Sequence, residues 1–312
     1  KMSELELPQF KLNEVETKAH ATLSKGKEPM DIEKFFGSHY KDVSADLKYV
    51  TDRKKAFAKE NSPDRQEAKK LAELFEMLLA QVIELENWLG DDVFIMETSE
   101  FDDFKAGVDA VIELLRDGAF SHLGLAIDVT FSQKQVEKKL ERIRDEIDYY
   151  ELLKVKYFVS QGGDFKGELS NIPRVVIAIG RKDINELASL WLDIDFLRKR
   201  VHQTKAGKES DTLRLRLREA QGRLANHPLQ IEMLAQIESQ LEAFARHAST
   251  KEKYKKSEKF SSMLAIIHTI RSGKKKIENA PETQSWPMTS YHQIDEALNR
   301  LFPRPTGDLE PS

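Results

Sequence analysis

The sequence predicts an α/β protein with a mixed central sheet flanked by helices, an N-terminal helical arm and a C-terminal all-helical region. Three observations predict it. Leu71, Leu74, Leu78, Val82, Leu85 and Leu89 recur at helical spacing just ahead of the chain's middle. Short β-branched runs follow at 93–97, 107–115, 123–130, 155–160 and 175–179, each too short for a helix and bounded by turn-forming residues. After about residue 203 the apolar spacing is helical again. The chain therefore divides into 1–63 (arm and helices), 64–202 (α/β core) and 203–312 (helical region).

Each element follows from its local pattern. Residues 1–30 show no period and read as an irregular arm. Within 31–59, Phe35, Phe36, Tyr40, Val43, Leu47 and Val50 give one or two helices. Asn61-Ser62-Pro63-Asp64 breaks the chain, and a long helix runs from there to about Leu89, ended by Gly90. The strand at 93–97 precedes the runs at 107–115 and 123–130, which are joined by a loop at 116–122. Ser132 caps the next helix, whose buried stripe is Val136, Leu140, Ile143 and Ile147. A strand at 155–160, a glycine-containing loop at 161–170 and a buried strand at 175–179 follow. Asp183 and Glu186 form a capping-box pattern opening a helix to about Val201. Residues 203–209 read as a linker. Pro228 starts a helix with a seam of Leu234, Ile237, Leu241 and Phe244, and the tail from Pro281 is partly irregular.

Composition narrows the functional classes. The 312 residues are 40% hydrophobic and 33% charged, which suits a helix-rich globular chain. No apolar run approaches the roughly 20 residues of a membrane helix, and the N-terminus lacks a signal-peptide layout, so the expectation is a cytoplasmic protein without a membrane partner. With no cysteine, disulfides, thiolate metal sites and cysteine nucleophiles are excluded. The eight histidines show no zinc-site spacing, and neither a dinucleotide fingerprint nor a P-loop is present. Charge is segregated along the chain. Residues 60–103 hold 13 acidic and 3 basic side chains, and residues 251–276 hold 9 basic and 2 acidic ones. Acidic clustering suits a cation; basic clustering suits a phosphate backbone or an acidic partner.

Two strands each carry one aspartate, Asp109 and Asp128. An ionised carboxylate inside a sheet is costly unless paired, so both residues need a partner. Alternation puts Asp109 with Val111 and Glu113 on one face, and Asp128 with Thr130 on another. If the strands pair, the two acids converge, and with a carbonyl and waters they suit Mg²⁺ or Mn²⁺.

The order helix, three strands, helix, strand, with Asp109 in Gly107-Val108-Asp109 and Asp128 in Asp128-Val129-Thr130, resembles the PD-(D/E)XK nuclease superfamily. The resemblance spans roughly 64–201. It implies a restriction-endonuclease-like fold and Mg²⁺-dependent cleavage of nucleic acid, DNA in particular, with Asp109 and Asp128 as metal ligands. Thr130 stands where the family has its lysine and cannot supply that cation. Some members take the lysine from the next helix, where Lys139 lies about 70° from the centre of the apolar stripe and Lys138 points nearly opposite. The family's helix glutamate would be Glu76, which has the expected spacing, with Glu67 and Glu86 as alternatives. Asp102 and Asp103 either add to the metal shell, Asp103 as a ligand, or begin a turn. The basic residues of 251–276 would hold DNA phosphates. Two further readings stand beside this one: a catalytically inactive nuclease-fold module that binds nucleic acid or a protein, and a helical scaffold whose aspartates only cap turns or pair with Arg or Lys.

Overall fold

The computed structural model describes residues 11–25, 30–37, 42–59, 62–116, 118–129 and 133–304, with the backbone alone at 65, 116, 125–129 and 133. Within them the chain runs α1 (Glu14–Leu23), a 3₁₀ turn (Ile32–Phe35), α2 (Val43–Lys59), α3 (Pro63–Glu86), β1 (Val93–Glu97), α4 (Glu100–Ala106), β2 (Ala110–Arg116) and β3 (Ala119–Val129). It continues with α5 (Gln133–Asp148), β4 (Leu153–Val159), β5 (Lys166–Ile172), β6 (Arg174–Ile179), α6 (Arg181–Gln203), α7 (Lys208–Ala225), α8 (Leu229–Thr250), α9 (Tyr254–Gly273), α10 (Lys275–Glu278), α11 (Pro281–Gln284) and α12 (Thr289–Leu301).

The central sheet has the order β1-β2-β3-β6. β1, β2 and β3 pair antiparallel in sequence, and β6 lies parallel to β3, with Asp128 opposite Ala178. A parallel neighbour needs a crossover, and α5 provides it. The α5 stripe is buried as its spacing requires: Val136, Leu140, Ile143 and Ile147 all lie inside. On α3, Leu71, Leu74, Leu78 and Val82 are buried, but Leu85, in the last turn of a helix that ends at Glu86, is 53% exposed.

β4 and β5 form a separate two-stranded sheet. Two buried carboxylates tie it to the main sheet. Asp102 accepts from the backbone N–H of Lys156 (2.7 Å) and Tyr157 (3.0 Å), and Glu113 accepts from Gln161 N–H (3.0 Å). The packing is close: a Cβ on Gly124 of β3 would lie 2.2 Å from a methyl of Leu153.

Strand β6 is an edge strand yet fully buried, so its free amides need partners. α8 supplies them. Gln240 accepts from Val176 N–H and donates to its carbonyl, both at 2.8 Å. Gln236 does the same to Ala178, at 2.9 and 3.0 Å. Leu234, Ile237, Leu241 and Phe244 are all fully buried and belong to one apolar core with β6, α5, α9 and α12.

Several sequence expectations need correcting. Part of the arm is the helix α1, capped by Asn13 and Glu16 in a reciprocal box and held by Glu16, which is buried against Arg181 at 2.6 Å. The first aspartate strand begins at Ala110, so Asp109 precedes it; residues 100–106 are the helix α4, opened by Ser99 and closed by Gly107. β2 and β3 run through most of 116–122 as a tight hairpin. Residues 166–172 are strand rather than loop. α6 begins at Arg181 on Gly180, which puts Asp183 inside the first turn instead of at the cap. In the tail from Pro281, the described residues to 304 hold two helices, α11 and α12, with irregular chain at 285–288 and 302–304. Tyr40, Asn61, Thr130 and Ser132 lie outside the described residues. No helix among the described residues is long and apolar enough to cross a membrane.

Candidate active site

Asp109 reaches its place through a short, strongly determined turn. Ser99 caps α4 by accepting from Asp102 N–H. Gly107 ends it in the left-handed region at φ 63°, where a Cβ would also meet Arg142 Nη1 at 2.7 Å. The buried Arg174 donates to Ala106 O at 2.5 Å and to a Glu146 carboxylate oxygen at 2.6 Å. Thr98 holds the following segment, donating through its N–H to Asp109 O and through its hydroxyl to Val108 O.

This turn borders a cleft of about 470 Å³ between α3, the end of β1, α4 and Asp109, with Ser24 and Met30 of the arm along one side. Lys69, Glu73 and Glu76 face it from one side of α3, as spacings of four and three residues dictate. Glu97, Glu100, Asp103 and Asp109 complete an acidic lining. Glu73 is held by His20 of α1 at 3.2 Å and by Lys69 at 3.6 Å, and Glu100 by Lys54 at 2.7 Å.

The electrostatics centre on Asp103. Burial, and then the neighbouring charge of Asp109, push its carboxyl up to about 7, against the opposing pull of Lys139 and Lys69. Asp103 thus exchanges its proton near neutral pH, which suits proton transfer and also suits a ligand that loses its proton when a cation arrives.

The cleft gathers three of the expected residues, Glu76, Asp103 and Asp109. Lys139 is half-buried and close enough to act on Asp103, whereas Lys138 is exposed. The alternatives to Glu76 lie elsewhere. Glu67 accepts from Leu12 N–H (2.9 Å) and from Lys70 (2.7 Å), and Glu86 sits at the far end of α3 near Arg198. Asp102 is a structural partner of β4, as described. Asp128 is next to last in β3, at the end away from the hairpin turn; continuing the register of Ala110 with Leu125 puts positions 109 and 128 at the same end of the β2–β3 pair. Its side chain, like all of Thr130, lies outside the described residues. Among the described residues, no three His, Asp or Glu side chains form a ready metal-binding group. Sequence reasoning missed Lys69, Glu73, Glu97 and Glu100; the spacing of Glu73 from Glu76 on a helix already marked as flanking the acids was the available signal.

The basic segment 251–276 is only partly available to a ligand. Lys256 donates to the carbonyls of Glu146 (2.7 Å), Ile147 (2.9 Å) and Tyr150, which close the end of α5. Arg271 binds Glu238 and Glu278, and Lys274 donates to Asn87 O. Lys255 and Lys259 border a different groove, beside Phe120 and His122. Those residues lie at the hairpin end of β3, about 20 Å along the strand from position 128.

Compared with protein-family models, with curated proteins and with solved structures, the chain matches none.

Proposed function

We propose that this chain is a divalent-metal-dependent hydrolase of nucleic-acid phosphodiester bonds, of the PD-(D/E)XK type, acting in the cleft between α3, α4 and the start of β2. The observation that carries the reading is that Glu76, Asp103 and Asp109, from three separate segments, line one cleft at one end of a β1-β2-β3-β6 sheet. The central-sheet elements α3, β1, β2, β3, α5 and β6 keep the order helix, three strands, helix, strand of the resemblance, with α4 inserted between β1 and β2 and the β4–β5 pair between α5 and β6.

The donor chemistry fits Mg²⁺ or Mn²⁺. The acidic lining offers hard oxygen ligands, and burial together with the Asp109 charge keeps Asp103 protonated to about pH 7 despite Lys139 and Lys69. Asp109 and Asp103 would hold the ion, with Glu76 and Asp128 completing or orienting the shell. Such an ion activates water and offsets charge on phosphoryl oxygens. Lys139 supplies positive charge on the α5 side, the charge that Thr130 lacks. Lys69 does so on the α3 side. Before an ion binds, Asp103 holds a proton at its carboxyl oxygens up to neutral pH, and taking up the ion would release it.

The threonine at 130 favours a second reading, a nuclease-fold module that binds DNA without cutting it. One experiment separates the two: incubation of supercoiled plasmid and of a branched duplex with the protein in 5 to 10 mM Mg²⁺ or Mn²⁺, an ordinary assay range of about that order. Nicking that disappears in Asp109→Ala and in Glu76→Gln supports the hydrolase. Binding without nicking supports the module. Nicking that survives in both variants refutes the assignment of this cleft.

A further inference from the structure

Three tyrosines are displayed together where α5 ends and α9 begins: Tyr149 is 76% exposed, Tyr150 68% and Tyr254 67%. Aromatic side chains normally contribute their area to a core, so three of them in water at one place need an explanation. Their position is fixed rather than incidental. The Lys256 ammonium donates to the carbonyls of Glu146, Ile147 and Tyr150, which locks the first turn of α9 against the last turn of α5. The rings of Tyr149 and Tyr150 stand 6.5 Å apart and nearly perpendicular, presenting separate faces. Lys253 and Lys255 are exposed on either side of Tyr254.

The end of α4 lies between this platform and the acidic cleft, with Asp103 lining the cleft and Lys105 and Ala106 lining a groove on the tyrosine side. Tyr150 borders a groove of about 440 Å³ lined by the cations Lys105, Arg142 and Lys154 and by the carboxylates Asp145, Glu146 and Glu151, of which Glu146 is tied to Arg174. Lys105 and Ala106 end α4, the helix that carries Asp103, and Arg142 donates to Lys105 O at 2.8 Å. Along α5, Lys139 sits at the cleft, Arg142 lies a turn further, and Tyr149 lies about 10 Å beyond Arg142 on nearly the same face. Cations therefore come next to the cleft and ring faces come after them.

We infer that this face of α5 and the start of α9 hold a single-stranded segment of nucleic acid leading to or from the cleft. Arg142 and Lys105 meet phosphates, and Tyr149, Tyr150 and Tyr254 stack on unpaired bases. A duplex offers phosphates but buries its base faces, so exposed rings gain little from it; an unpaired strand satisfies both features at once. The inference rests on the nucleic-acid reading above and names its substrate class, but it requires no catalysis.

The test is fluorescence anisotropy of full-length protein in EDTA at low salt, with a labelled oligo-dT of about 12 nucleotides, several OB-type stacking sites in length, and a hairpin duplex of equal charge. The expected result is tighter binding of oligo-dT than of the duplex. The double variant Tyr149→Ala/Tyr150→Ala should lose at least about tenfold of the oligo-dT affinity, as stacking losses of this kind imply. Tyr149→Phe/Tyr150→Phe, which keeps the rings, should bind within about twofold of wild type. Arg142→Ala should lower the slope of log affinity against log salt by about 0.7. Both tyrosines are solvent-exposed, so thermal melting should be unchanged and folding does not confound the outcome. Equal binding by the Ala variant, preference for the duplex, or no binding of either probe overturns the inference; the last result would suit a face made for a protein. Tyrosine-dependent binding by a protein that never nicks DNA keeps this surface and sinks the hydrolase. Nicking that ignores the tyrosines does the reverse.

Discussion

Replacing Asp103 by asparagine tests the electrostatic heart of the cleft. The carboxyl titrates at about 7 in the folded protein against 3.8 in the reference state. Between these values the native chain holds a proton that the unfolded chain has released. Stability therefore falls as pH rises through this window, and the penalty is complete above about pH 7. Taken at face value the displacement corresponds to about 4 kcal/mol. Asp103 is only half-buried, and solvent screening reduces this to about 2 kcal/mol. Asparagine keeps the shape and removes the charge that faces Asp109. Asp103→Asn should therefore melt higher than wild type by about 3 °C at pH 8, given the unfolding entropy of a chain this long, and at the same temperature near pH 4. Mn²⁺ should raise the wild-type melting temperature more at pH 8 than at pH 5.5, because the ion competes with the Asp103 proton. That rise should shrink in the variant. Differential scanning fluorimetry across pH, with and without Mn²⁺, reads all of this. A variant that melts at or below wild type at pH 8 would refute the account of a charge strained by burial and Asp109.

Two further predictions concern what holds the site in place. Arg174→Ala removes the buried guanidinium that ties Ala106 and Glu146 together behind the Gly107 turn. It should cost about 3 kcal/mol by taking away the buried hydrogen-bonding partner of Glu146, which keeps only the longer ion pair to Arg142 at 3.7 Å; this is seen as a lower urea midpoint, and should weaken Mn²⁺ stabilisation through displacement of Asp109; an unchanged midpoint would contradict it. Gln236→Leu/Gln240→Leu strips the partners from the β6 amides at 176 and 178 and should cost about 2 to 5 kcal/mol. Hydrogen exchange should quicken at Val176 and Ala178, and unchanged protection there would show that the glutamines do not seal the edge.

Much of the fold was legible because burial writes a period into the sequence. The stripe of Val136, Leu140, Ile143 and Ile147, the run at 175–179 and the seam from Leu234 to Phe244 all face the core as their spacing requires. The helix α4 was equally legible in principle, since Ser99 before an acidic turn and Gly107 after it are a complete pair of end signals. It was hidden because the following apolar run invited a longer strand. Polar residues were harder to place. Asp102, Glu113 and Asp103 are all acids within or beside the same sheet, yet the first two bind backbone amides of the β4–β5 unit and only the third enters the cleft. Spacing favoured Glu76 but could not by itself set aside Glu67 and Glu86. They are distinguished by what stands opposite: Leu12, the acidic cleft and Arg198 respectively.

By itself the sequence determined the alternation of helices and strands, the segregation of acidic and basic segments, and the absence of thiol chemistry. Each of these depends on neighbouring residues alone. Tertiary structure decided that β6 runs beside β3 with α8 sealing its edge, that Glu76 joins Asp103 and Asp109, and that Asp103 titrates near neutrality. Those outcomes depend on groups far apart in the chain, and a carboxyl's charge is set by how much water its neighbours leave it.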